Sequence, residues 1–277
     1  DGLEHQLKEN IETKKIFAST TFPKNFDCPI YILTVGTPLN EHGSVNLNFI
    51  INATEEIAVK LKEGDLIILR STVKLGITEN IVKPILDKVG VGYGLAMCPE
   101  RTLEGNAIQE LRKLPQVIGA NDEFSRLEAT KFFNLVTDTV INVSSIKSAE
   151  MVKLVDNTYR DVTFAFGNEI TRACDIVDID ANEVINSGSL GYSRTNVAKP
   201  GLVGGPCLEK DPHIFRQSIL DYGFDLEITS AARLVNERQP IEILDRLFLY
   251  KYFPNKLKKV TIWGIAFKGV PETNDLR

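Results

Sequence analysis

Short apolar runs alternate with amphipathic stretches through the first half of the chain, and a longer helical periodicity takes over in the second half. Residues 3–15 carry the pattern of a polar amphipathic helix. YILTV at 31–35 is an apolar run closed by Gly36-Thr37-Pro38, which predicts a buried strand followed by a turn. A helical stretch over about 47–61 leads to DLIILRST at 65–72, and another over about 77–89 leads to YGLAMCPE at 93–100. QVIGA at 116–120, a helix over about 123–137 and TVINVS at 139–144 follow. Strands that alternate with helices predict an α/β region with a mostly parallel sheet and right-handed crossovers. Three of the strands end in polar residues: Thr37 after the first, Ser71 and Thr72 after the second, Glu100 after the third. Open parallel sheets bind ligands outside the carboxyl ends of their strands, so these residues are expected to face one crevice.

Beyond Ser145 the period changes. Val152, Val155, Tyr159, Val162, Phe166 and Ile170 recur at three- and four-residue intervals, which predicts one helix from about Ser148 to Val177, about 45 Å long. Helices near 181–186, 212–222 and 226–249 make the second region all-helical, interrupted by a glycine-rich loop at 188–207. KKVTIWGIAF at 258–267 reads as the first strand of a new α/β unit whose crossover helix does not follow. The opening helix has no strand before it, and no GxGxxG occurs anywhere. Both features lead to the expectation of an internal piece of a longer protein.

Composition narrows the function classes. The formal net charge is -5, with 32 Lys and Arg against 37 Asp and Glu and no long basic cluster, which argues against a general nucleic-acid binder. No apolar run approaches the roughly 20 residues that span a bilayer, and the acidic opening is not a signal peptide. Cys28, Cys98, Cys174 and Cys207 are far apart and form no CxxC pair, so neither a metal site nor a disulfide framework is suggested, and a reducing cytoplasm fits.

Candidate chemistry centres on GLVGGPCLEKDPHIF at 201–215. Gly204 and Gly205 expose backbone N–H groups and Lys210 lies three residues beyond Cys207, a setting that can stabilise a thiolate nucleophile; a small apolar cysteine packed in a tight loop is the other reading. Lys153 and Asn157 are four apart, so on a helix they share a face and can donate to one oxyanion, or simply face water. Glu100 and Glu104, separated by RTL, are carboxylates at a strand end that could meet a ligand or cap a helix. Asp211, just before Pro212, could belong to the site or cap the helix it precedes.

STV at 71–73, CPERTLEGNAIQELRKLPQVIG at 98–119, AEMVKLVDNTY at 149–159, PGLVGGPCLEKDP at 200–212 and VTIWGIAFKGVPETNDLR at 260–277 together resemble the UDP-glucose/GDP-mannose dehydrogenase family, in order and in spacing. The resemblance implies an incomplete Rossmann-like parallel sheet over 1–145, an all-helical central domain with a long helix over 146–250, and the first strand of a second Rossmann-like domain over 251–277. It also implies an NAD-dependent enzyme without a metal, which oxidises the C6 alcohol of a UDP-sugar to a carboxylate, and a homodimer formed through the long helix 148–177. Cys207 matches the nucleophile, Lys153 and Asn157 the oxyanion donors, Thr72 and Asp211 the residues that hold a water, and Glu100 the base of thioester hydrolysis. Thr37, Ser71, Glu104, Lys210 and Arg277 match positions near the cofactor. Arg194, Gly204, Gly205 and Lys268 match positions near the substrate, with Arg194 reaching across the dimer. ERTLEGNA and GGPC are closer to the branch acting on UDP-N-acetylhexosamines, notably UDP-N-acetylmannosamine, than to the UDP-glucose branch. Because the resemblance leaves the cofactor's glycine loop outside this chain, a non-catalytic dimerisation scaffold is the competing reading of these 277 residues.

Overall fold

The computed structural model describes residues 3–22, 27–41, 43–103, 105–249 and the single positions 261, 263, 264 and 266. The chain forms two compact units, Asp1–Lys153 and Leu154–Arg277.

In the first unit a lone helix α1 (Leu3–Glu12) precedes a five-stranded sheet of β1 (Ile30–Leu33), β2 (Asp65–Leu69), β3 (Tyr93–Met97), β4 (Gln116–Ala120) and β5 (Val140–Val143), ordered as in the sequence. β1 to β3 run parallel, with Ile30 opposite Leu66 and Asp65 opposite Tyr93; β4 runs antiparallel to β3, and β5 parallel to β4. The connections are α2 (Asn48–Ala58), a π-helical turn (Thr78–Val82) that runs into α3 (Lys83–Asp87), α4 (Ala107–Lys113) and α5 (Glu123–Phe133).

All five residues of β2 are buried. Alternation divides them: Ile67 and Leu69 pack with Ile50, Ile57, Val82 and Leu86, while Leu66 and Ile68 pack with Ala129 and Phe133 on the other face. A strand covered on both sides has no solvent-facing position to show, which is why this one, after Asp65 at its start, reads as a continuous apolar run. The expected helix over 77–89 is found as the π turn over Thr78–Val82 continuing into α3. The helix expected over 123–137 stops at Phe133, and Asp122 starts it by accepting the Ser125 N–H at 2.7 Å. The short α4 went unread; Asn106 before it and Pro115 after it were its signal.

A close approach fixes where the sixth helix, α6 (Ile146–Ile176), begins against this sheet. A Cβ on Gly119 of β4 would collide with the Ser145 carbonyl oxygen and with the Ala149 Cβ. One turn on, the buried Glu150 carboxylate accepts from the Gly76 N–H at 2.6 Å, the Thr78 N–H at 3.0 Å and the Thr78 hydroxyl at 2.6 Å. Burial pushes this carboxyl above its usual range in spite of those three donors.

In the second unit α6 continues and is joined by α7 (Ala181–Ser189), α8 (Asp211–Leu220) and α9 (Glu227–Leu249). The period that predicts α6 is correct, but the apolar stripe is not the buried one. Val155, Tyr159 and Phe166 are 44%, 68% and 50% exposed, while the buried positions include Asn157, Asp161 and Asn168. The strand expected at 258–267 lies outside the described residues apart from four single positions.

Gly119→Ala is expected to lower the unfolding free energy by about 1–3 kcal/mol in urea, because both colliding groups are backbone or a helix Cβ and have little room to give. Gly36→Ala, whose Cβ would meet nothing within 4 Å, should stay within about 0.5 kcal/mol. Equal effects at the two sites would contradict this packing.

Candidate active site

The carboxyl ends of β1, β2 and β3 lie at one edge of the sheet, and two hydroxyls lace the loops that leave them. Thr37 Oγ1 donates to the Thr72 carbonyl at 2.6 Å, and Ser71 Oγ donates to the Val35 carbonyl at 2.6 Å. Both hydroxyls are therefore fixed as donors and keep lone pairs for a ligand. Beside them Gly36 leaves open space where a side chain would stand.

Arg70 closes β2 as a cation at the end of an apolar strand, and it is only 8% exposed. Its Nη1 donates to Gln116 Oε1 at 3.0 Å, its guanidinium lies 5.0 Å over the Phe133 ring, and its Nη2 pairs with Glu100. Glu100 Oε1 also accepts from the backbone N–H groups of Arg101 at 2.8 Å and Thr102 at 2.9 Å. Burial pushes the Glu100 carboxyl up, but the hydrogen bond and charge of Arg70, helped by Thr102, outweigh it and hold the group below the usual carboxylate range. Glu100 is thus an ionised carboxylate aimed by Arg70, with its basicity reduced while the pair is closed. Arg70 and Gln116 escaped the sequence reading; an arginine ending an otherwise apolar strand was the available sign. Glu104 lies outside the described residues.

In the helical unit, Gly205 turns the chain at φ +89°, which favours glycine, and the following residues wind into α8. Glu209 N–H donates to the Gly205 carbonyl at 3.2 Å, and Asp211 N–H donates to the Cys207 carbonyl at 2.9 Å. Cys207 sits at the start of this turn with its side chain exposed, between buried Gly205 and buried Leu208. The packed-cysteine reading fails here and holds instead for Cys98 and Cys174, which are buried; burial pushes the Cys98 thiol far up. Of the four cysteines only Cys207 offers an exposed sulfur.

Asp211 is the first residue of α8, yet its side chain does not cap the helix. The wholly buried carboxylate accepts from Asn157 Nδ2 at 2.5 Å through one oxygen and from Lys210 Nζ at 2.5 Å through the other. Asn157 keeps its second amide N–H, and half-buried Lys153 lies one turn before it on α6. Arg194 is exposed and stacks over the Tyr192 ring at 4.6 Å. Lys268 and Arg277 lie outside the described residues. The candidate residues therefore form two sets: Thr37, Ser71, Thr72 and Glu100 at the sheet edge, and Asn157, Cys207, Lys210 and Asp211 in the helical unit. Among the described residues no helix is long and apolar enough to cross a membrane.

Comparison with known proteins gives both regions one family. Residues 1–136 match the NAD binding domain of the UDP-glucose/GDP-mannose dehydrogenase family, and residues 147–238 match its central domain. The UDP-N-acetyl-D-mannosamine dehydrogenase of Methanocaldococcus jannaschii is 34% identical over 253 residues, covering 90% of this chain and 57% of the relative. The UDP-N-acetyl-D-glucosamine 6-dehydrogenase of Pseudomonas aeruginosa is 29% identical over 276 residues, covering 95% of this chain and 64% of the relative. Among solved structures, the UDP-D-ManNAc dehydrogenase of Pyrococcus horikoshii superposes with a TM-score of 0.83 at 28% identity, over 89% of this chain and 59% of that one. The chain thus spans about three fifths of the length of the relatives it matches.

Since Glu100 is held below its unfolded value, the stability it contributes is present above the ordinary carboxylate range and is lost as pH falls through the folded value. In Arg70→Met the burial remains and the cation is gone, so Glu100 should titrate at or above an ordinary glutamate. Carbon-detected NMR of the carboxyl tests this, and a titration still as low as in the unaltered chain would remove Arg70 as the cause.

Proposed function

Because this chain belongs to the UDP-glucose/GDP-mannose dehydrogenase family, we propose that its parent protein is an NAD-dependent nucleotide-sugar 6-dehydrogenase that converts the C6 alcohol of a UDP-sugar to a carboxylate. The observation that carries this reading is Cys207, an exposed thiol on a glycine turn four residues ahead of Asp211 in the buried Asn157–Asp211–Lys210 cluster. A two-step oxidation needs such a thiol, because an aldehyde gives up hydride readily only as a tetrahedral adduct.

The sheet edge fits a dinucleotide in chemistry: Thr37 and Ser71 offer lone pairs, and the bare Gly36 lets a flat group approach the backbone. NAD+, when bound, accepts the hydride released from C6 in each of the two oxidations. The Cys207 thiolate adds to the aldehyde carbon left by the first oxidation, forming a C–S bond and an oxyanion. Lys153 Nζ and the spare amide N–H of Asn157 hold that oxyanion. When C6 loses its second hydride the carbonyl re-forms as a thioester on Cys207. A water then adds to the carbonyl as a base takes its proton, and the C–S bond breaks to return the thiolate and release the carboxylate; the family resemblance gives the base as Glu100 and the water's holders as Asp211 and Thr72. The ion pair with Arg70 keeps Glu100 unprotonated and ready for that step.

UDP-N-acetyl-D-mannosamine is the proposed sugar, supported by ERTLEGNA, by GGPC and by the names of the relatives in Methanocaldococcus jannaschii and Pyrococcus horikoshii. A homodimer through α6 is proposed from its exposed stripe of Val155, Tyr159 and Phe166, apolar surface that a second copy would cover.

Full-length protein supplied with UDP-N-acetylmannosamine is expected to release two NADH per sugar, with UDP-glucose a poor substrate. Cys207→Ser should lower acid formation by at least about 10³-fold. A Cys207→Ser enzyme that forms acid at the unaltered rate would sink the mechanism, and equal turnover of both sugars would sink the choice of substrate.

A further inference from the structure

A buried polar network in the helical unit holds the loop that carries Cys207 at both of its ends. At the near end, Asn168 of α6 grips the peptide of Gly201 in both directions: Gly201 N–H donates to Asn168 Oδ1 at 2.8 Å, and Asn168 Nδ2 donates to the Gly201 carbonyl at 3.0 Å. At the far end, Arg233 Nη1 of α9 donates at 3.1 Å to the carbonyl of Leu208, the residue next to Cys207. The two grips are one network. Arg233 Nη1 also donates to Asp161 Oδ1 at 2.6 Å; Asn236 Nδ2 donates to the same oxygen at 2.9 Å and to the Asp161 carbonyl at 3.0 Å; and Asn168 Nδ2 donates to Asn236 Oδ1 at 3.1 Å. Asp161 is 0% exposed, Asn168 1%, Asn236 2% and Arg233 6%, so none of these groups can turn to water for a partner.

This is a costly way to join helices. A well-packed apolar contact would bind α6 to α9 at least as strongly as a buried ion pair, whose desolvation offsets much of its attraction. What apolar side chains cannot do is bond a loop peptide at a fixed distance. Two branches of the network end on such peptides, at Gly201 and Leu208, and a third on the Glu237 carboxylate; the stretch between the two peptides contains the one exposed cysteine of the four.

We propose that Asp161, Asn168, Arg233 and Asn236 are positioning residues for Cys207, a clamp that sets where the sulfur stands relative to the C6 carbon in the step that forms and oxidises the thiol adduct. The inference rests on the reading of Cys207 as nucleophile. None of the four touches substrate; each acts through the loop backbone. Displacing a nucleophile by about 1 Å lowers the rate on the order of 10²-fold, so loosening either grip should slow the cysteine-dependent oxidation. It should leave hydride transfer between alcohol and aldehyde alone, since that exchange makes no bond to sulfur.

The test uses the nucleotide-sugar 6-aldehyde with the full-length protein. Aldehyde plus NADH reads the first oxidation in reverse, and aldehyde plus NAD+ reads the second. Asn168→Ala frees the Gly201 end, where the peptide is exposed and can turn to water. Arg233→Lys keeps a cation beside Asp161, but its shorter side chain withdraws Nη1, the one atom that also reaches the Leu208 carbonyl, so neither variant strands a buried charge. The expected result is a loss on the order of 10²-fold in aldehyde oxidation with aldehyde reduction within about twofold of the unaltered protein. If both directions fall together, or neither falls, the clamp is a fold-stabilising network and the proposal is overturned. Cys207→Ser separates the two readings: should it oxidise aldehyde normally, the nucleophile itself is wrong and the clamp falls with it; should it fail while Asn168→Ala and Arg233→Lys keep full rates, only the clamp is wrong.

Discussion

A helix whose buried face is polar needs partners for the groups on that face, and this requirement organises much of the helical unit, with Thr158 Oγ1 and Asp161 Oδ2 left unbonded. Asn157, Asp161 and Asn168 fall at intervals of four and seven on α6, one side of a 3.6-residue helix. Each is met by something specific. Asn157 meets Asp211 at the start of α8, Asp161 meets Arg233 and Asn236 of α9, and Asn168 meets Asn236 and the Gly201 peptide. Hydrogen bonds tolerate displacement far less than apolar contact does. With this polar side turned inward, Val155, Tyr159 and Phe166 of α6 face outward, which is why the proposed dimer surface and the proposed site lie on one helix.

The sheet unit answers to the opposite constraint. Its central strands β2 and β4 are buried along their whole length and apolar but for their first residues, so at the carboxyl end of β2 polar chemistry begins where the strand ends. Arg70 marks that transition on β2. Placed one residue beyond the strand, it reaches Glu100 after β3 and Gln116 of β4, and so ties together the ends of three neighbouring strands. Thr37 and Ser71 do the same between β1 and β2 with hydroxyls. Side chains at this edge serve as ligatures and as candidate ligands at once, since a hydroxyl that donates to a carbonyl still has lone pairs to offer.

The strands were legible because a short apolar run bounded by glycine, proline and polar residues seldom folds as anything else, and the long helix because its period repeats for about eight turns. What could not be read was which side of α6 is buried. Periodicity reports that Val155, Tyr159 and Phe166 share a face with one another, and the usual assumption that an apolar face is a core face fails when a second copy is the proposed cover. The network around Cys207 left no pattern either. Arg233 lies 72 residues from Asp161, Asn236 lies 75 from Asp161, and Asn236 lies 68 from Asn168, so the pairs exist only after folding. Cys207 was ambiguous from its own loop. Its role came from the resemblance, and its exposure from the structure.

The Cys207 loop has to reconcile two demands that oppose each other. A nucleophile must be reachable, which places it on the surface; it must also stand still, and surface loops are where chains move most. Holding one residue's backbone costs about 1–2 kcal/mol in conformational entropy, so a loop cannot be stilled by its own contacts unless it buries itself and loses access. The chain separates the two functions along the sequence. Cys207 is exposed, while Gly205 and Leu208 on either side are buried, and the bonds that fix the loop are made by peptides, among them Gly201, Leu208 and the Cys207 carbonyl, and not by the cysteine side chain. Restraint is thereby supplied from beneath the loop by groups that cannot reach water, and among the described residues the sulfur has no hydrogen-bond partner that would compete with a substrate carbon.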